Sequence, residues 1–158
     1  MEDITRSIDA LTSLIEVNNK RMKIYQALAE KMHHSELRSL FSHYAEQSGQ
    51  FSKALSTWRS VYGGFDMLRK KSVWEKMTSF WEHWLRKSVA SKCEELERDI
   101  FRAYRTAIQL SILPAATTAE IERQVGEFEK ALIKLRTFQE QPGKSRSVYE
   151  ELVHTPAF

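Results

Sequence analysis

Two Glu-x-x-His strings run in the chain, Glu30 to His33 and Glu151 to His154. On a helix that spacing sets a carboxylate and an imidazole one turn apart on one face. A di-iron bundle takes such an inward pair from each of two helices and a single inward Glu from each of the other two. Neither string falls in mid-bundle: the first closes a helix and the second lies in the C-terminal tail. His33 and His34 suit a helix C-terminus, where partial negative charge collects. The one acid squarely on an inward stripe is Glu97, in register with Cys93, Ile100, Phe101 and Tyr104. Glu94 and Glu127 flank such stripes. A lone inward Glu must pair, protonate or bind a metal. An Arg, Tyr25 or Tyr104 could satisfy Glu97, and pairing is the expectation because partner histidines are missing. Glu97, Glu94 and Glu127 are the candidate ligands if a metal is held at all. No metal, cofactor or catalytic residue is expected.

Other reactive groups carry less. Cys93 reads as a small core residue, since no histidine stands near it in mid-helix to act as a base. His43, one position from the Phe41–Tyr44 stripe, belongs at the surface or its boundary. No nucleophile elbow, phosphate loop or dinucleotide fingerprint is present. The densest feature is Trp74, Met77, Phe80, Trp81, Trp84 and Leu85 in a dozen residues, with Trp74, Trp81 and Trp84 on one face. Arg69, Lys70, Lys71, Lys76, Arg86 and Lys87, set against Glu75 and Glu82, leave +4 in a chain of net +3. A basic, Trp-rich amphipathic helix can cover the bundle, dock a protein (a second copy included) or lie on an anionic membrane. Nucleic acid is not expected, because aromatics do not interleave the basic clusters across a broad face.

Helices must position these groups. Ile4, Ile8, Leu11, Ile15, Met22, Tyr25 and Ala29 recur at three- and four-residue steps, with Asn18 among them, and predict a helix over Asp3 to Met32. Asp3 is its expected N-cap. A second helix, capped by Ser35, carries Leu37, Phe41, Tyr44, Ser48, Phe51, Leu55 and Trp58 and ends at Gly63-Gly64. Ser72 to Glu75 has capping-box form and opens apolar periodicity that runs to Leu113, with Pro114 as the stop. One helix over that span would reach about 60 Å, against roughly 42 Å for the first two. A break is therefore expected near Lys87 to Ala90. Thr117 and Glu120 form a second capping box, opening a helix that turns Ile121, Val125, Phe128, Leu132, Leu135 and Phe138 inward. Pro142-Gly143 ends it. Ser147 to Glu150 could add a short turn, and the tail through Pro156 is expected to be mobile.

Loop lengths then give the fold: two antiparallel hairpins joined by a long crossover, the ferritin-like arrangement of a four-helix bundle. The bundle is expected over residues 1–141, the crossover over about 65–87 and a tail over 142–158. The 158 residues suit one domain, and five Gly and three Pro are too few for a sandwich or barrel. One cysteine precludes an internal disulfide and fits a cytoplasmic protein. The N-terminus lacks the apolar run of a signal peptide, and no stretch approaches a membrane span.

The segments Leu14 to Asn19 with Tyr25, Glu36 to Phe41, Gln47 to Phe51, Gly63-Gly64, Cys93-Glu94 with Ala103-Tyr104, and Ile121 to Gln124 make the chain resemble a bacterial family. That family comprises ferritin-like four-helix bundles of unknown function, associated with stress responses. The similarity covers about residues 8 to 138. It implies the same all-α fold. Two departures bear on function. The family pattern has Gly-Tyr-Glu where this chain reads Ile24-Tyr25-Gln26, and a histidine where Leu132 stands. If those residues hold a metal in relatives, this chain lacks two of them. The resulting expectation is a non-enzymatic structural or interaction module without a di-iron centre. The alternatives are a metal-binding oxidoreductase with an atypical carboxylate site, or a membrane-surface binder acting through its tryptophans.

Overall fold

The computed structural model describes residues 2–63, 88–110, 113–140 and 146–156, whose elements are all helical apart from one isolated bridge. The helices are α1 (Glu2–Lys31), α2 (Ser35–Val61), α3 (Val89–Leu110), α4 (Ala115–Glu140) and α5 (Arg146–His154).

Leu11, Leu14, Ile15, Leu28 and Ala29 of α1 are buried against Leu37, Phe41, Ala45 and Leu55 of α2. The two helices run antiparallel: Ser52 donates to Asn19, Arg21 reaches Ser48, and Arg59 reaches Thr12. Helices α3 and α4 are also antiparallel, since Glu94 meets Arg136 while Tyr104 meets Gln124. Helix α3 runs antiparallel to α1 as well, with Asn18 against Tyr104 and Tyr25 against Glu97. So α2 finishes near the start of α1, whereas α3 starts near its end. Among the described residues no helix is long and apolar enough to cross a membrane.

Several boundaries differ from the sequence expectation, each for a local reason. Helix α1 already includes Glu2, so Asp3 lies inside its first turn and is not its cap. Ile4 is 52% exposed, because the start of α1 projects beyond the level of Thr12 where Arg59 meets it. Ser35 is the first residue of α2, not its cap; His34 holds that position without a side-chain bond of its own. The capping comes from α5. The Glu151 carboxylate accepts from the backbone N–H of His34, a donor that a helix start leaves open, and from that of His33 just before it. Helix α4 begins two residues before Thr117, with the Pro114 carbonyl accepting from Thr118. The Thr117 hydroxyl is instead shared with Tyr62, at 2.7 Å.

Helix α3 starts within the window set by the length argument. Ser88 caps it: its carbonyl accepts from Lys92 and its Oγ from the Ser91 N–H. Gly63 ends α2 at φ 84°, a left-handed conformation that glycine adopts without steric cost. Residues 146–154 are not a loose tail. Val148 and Leu152 are buried, and the Thr155 carbonyl accepts from Val89, tying the C-terminal segment to the start of α3.

Candidate functional site

Arg21 and Glu97 meet where α1, α2, α3 and α4 converge. Position 21 is three residues after Asn18 and four before Tyr25, which puts a guanidinium on the inward stripe of α1. Both side chains are fully buried, and Arg21 Nε donates to Glu97 Oε1 at 2.8 Å. The other edge of the guanidinium is held by α2: Nη1 donates to the Tyr44 carbonyl at 3.1 Å, Gln47 Oε1 at 3.0 Å and Ser48 Oγ at 2.9 Å. Three rings surround the cation, with Tyr25, Tyr44 and Phe128 centroids 5.1, 5.2 and 4.8 Å from Cζ. Their negative faces supply part of the stabilisation that water would give a solvated guanidinium. Glu97 Oε1 also accepts from the Tyr25 hydroxyl at 2.7 Å.

A second polar layer lies one helical turn away, toward the start of α1. Asn18 Nδ2 donates to the Leu14 carbonyl and to Tyr104 Oη, and the Tyr104 hydroxyl donates to Gln124 Oε1 at 2.6 Å. Gln124 passes the chain outward to Glu120, whose carboxyl is held below its ordinary range by the Arg123 hydrogen bond. Gln47 likewise links Arg21 to Glu127 at 3.4 Å. Within these two layers the buried atoms Asn18 Oδ1, Arg21 Nη2 and Glu97 Oε2 have no hydrogen-bond partner among the described residues.

This environment suppresses acid–base and nucleophilic chemistry. Burial, and then the Glu97 charge, push the Cys93 thiol far above its usual range, so little thiolate exists near neutrality. Burial drives the Tyr25 hydroxyl up as well, again with Glu97 as the next cause. A neutral, fully buried thiol and phenol are poor nucleophiles.

The structure separates the candidate metal ligands. Glu97 is in the core beside a cation. Glu94 faces outward, paired with Arg98 and Arg136. Glu127 pairs with Lys130 and Gln47 at the surface of α4. Glu30 and His33 are exposed, and Glu151 spends both oxygens on backbone N–H groups. Among the described residues no three His, Cys, Asp or Glu side chains stand close enough to hold a metal. Trp74, Trp81 and Trp84 lie outside the described residues, so the crossover face is not placed.

Tyr25 does reach Glu97 and Tyr104 does not; its partners are Asn18 and Gln124. Gln26, beside Tyr25 in the chain, is exposed and is not a partner of either hydroxyl. The sequence reading does not single out Arg21 or Gln124, and it takes Glu151 only as part of a Glu-x-x-His string, not as the acceptor of the His33 and His34 amides. The spacing of Arg21 from Asn18 and Tyr25 was the available signal, and Gln124 repeats it between Ile121 and Phe128. No family model matches the chain, and no curated protein or solved structure shows significant similarity to it.

Proposed function

We propose that the chain is a ferritin-like four-helix bundle without a di-iron centre, working in the cytoplasm as a structural or protein-interaction module. The observation that carries this reading is the Arg21–Glu97 pair. A metal cage places several carboxylates around a cation. Among the described residues Glu97 is the only acid at this core position, and a fixed guanidinium supplies the opposing charge. Adding a divalent cation beside Arg21 would set like charges together in a medium that screens them poorly. The ferritin-like topology is supported by the end of α2 and the start of α3, which lie at opposite ends of α1. Such a connection between two antiparallel pairs is the hallmark of that arrangement.

Metal content tests the proposal. Protein purified without chelators from iron- and manganese-supplemented cells should contain far less than one equivalent of either metal. Stoichiometric metal that disappears in Glu97→Ala would refute it and favour the oxidoreductase alternative.

A further inference from the structure

We infer that the outer face of α3 and α4 is a self-association surface, on which a second copy of this chain docks about a two-fold axis. The inference names a partner for the interaction module proposed above and rests on that reading, but not on the metal-free core.

The face has an apolar centre. A groove of about 310 Å³ between α3 and α4 is lined by Arg98, Phe101, Arg102, Glu129 and Leu132, so its walls are a ring, a leucine and long side-chain stems. Beside it Ile133, 64% exposed, projects from α4. An exposed apolar knob next to an apolar groove is self-complementary. In a two-fold dimer each copy supplies a knob and receives one.

The charges on the two rims select the partner. Arg98, Arg102 and Arg105 follow one another along α3 at helical spacing. Arg98 pairs with Glu94; Arg102 is 78% exposed with only a loose 3.8 Å contact to Asp99; Arg105 lies over the Phe101 ring. On α4, Glu122 and Glu129 are exposed and have no cationic partner among the described residues. One rim therefore offers Arg102, exposed and only loosely paired, and the other offers two carboxylates with no cationic partner among the described residues. A two-fold axis parallel to the helices lays α3 of each copy across α4 of the other, arginine rim against glutamate rim, twice over. A partner with a uniformly acidic or basic face would be repelled by one rim. A second copy satisfies both.

Sedimentation equilibrium of the full chain from micromolar to millimolar concentration tests this. The expected result is a monomer–dimer equilibrium that Ile133→Glu weakens about tenfold or more, as loss of a central apolar contact does. Circular dichroism should be unchanged, since Ile133 is exposed in the monomer. Arg102→Glu and Glu129→Arg should each weaken the dimer, and the chain carrying both should recover it, a restoration that misfolding would not give. A protein that stays monomeric throughout overturns the inference. So does a dimer indifferent to Ile133→Glu, which would locate association elsewhere, such as the tryptophan segment. Metal content measured on the same samples reports on the core independently.

Discussion

Replacing Arg21 by Met isolates what the buried pair contributes. Both partners are fully screened from solvent, so no surface discount applies. The variant leaves the Glu97 carboxylate with one donor, the Tyr25 hydroxyl, in a core of leucines and aromatic rings. Stranding one charge of a buried pair costs about 3–5 kcal/mol. The Gln47 and Ser48 side chains lose their donor as well. A domain of this size is stable by only about 5–15 kcal/mol, so the loss should lower the urea midpoint strongly at constant m. Glu97→Leu, which strands the guanidinium, should cost a similar amount. The double variant Arg21→Met/Glu97→Leu removes both charges, and it should recover most of the loss or exceed the parent by about 1–4 kcal/mol. The readout is the coupling energy from four urea curves. Additive losses, or a single variant costing under about 1 kcal/mol, would show that the charges are not the mutually dependent, desolvated pair described here.

Three further outcomes follow from other parts of the molecule. Tyr104→Phe should cost about 1–3 kcal/mol, because it strands Asn18 and Gln124, whereas Tyr149→Phe should cost almost nothing; thermal unfolding compares them. Cys93, Tyr25, Tyr44 and Tyr104 are all raised, chiefly by burial, above ordinary values of 9.0 for the thiol and 10.0 for the phenols. The folded state keeps protons that the unfolded chain surrenders. Their stabilisation is thus complete below about pH 9 and declines as pH rises beyond it. Urea midpoints that hold level from pH 8 to about pH 11 would contradict that sign. Finally, Glu151→Ala should cost about 0.5–2 kcal/mol, the range for a lost N-cap, and speed hydrogen exchange at the His33 and His34 amides. Unchanged exchange would mean that α5 does not cap α2.

The helices were legible because apolar residues repeat with the helical period: Phe41, Phe51 and Leu55 of α2, or Ile121, Phe128 and Leu135 of α4, are buried where the stripe puts them. Glu97 stood out because it interrupts such a stripe. Its partner did not, because Arg21 sits in the run Asn19-Lys20-Arg21-Met22-Lys23, which resembles a solvated face. Only its offset from Asn18 and Tyr25 distinguishes it, and the apolar stripe favours its neighbour Met22, which is half-buried. Ser88 is a cap of a type legible in sequence, a serine directly before the apolar run of α3. The capping box at Thr117 was misleading because Tyr62, just past the end of α2, shares its hydroxyl. The Glu151 contact could not be read locally at all, since a cap is recognised by its own neighbours and this one is remote in sequence.

That remoteness bears on how the chain is made. The carboxylate that completes the start of α2 comes from a residue 118 positions beyond the amide it serves. On a ribosome, α1 and α2 emerge early and can collapse together, since their contacts are close in sequence. Their turn must nevertheless wait with two open donors until α5 has been synthesised and has left the exit tunnel. A nascent chain stalled after α4 would hold the aromatic core around Arg21 while its first turn remained uncapped. The hydrogen bonds of that turn are therefore completed late in synthesis, after the two helices have already met.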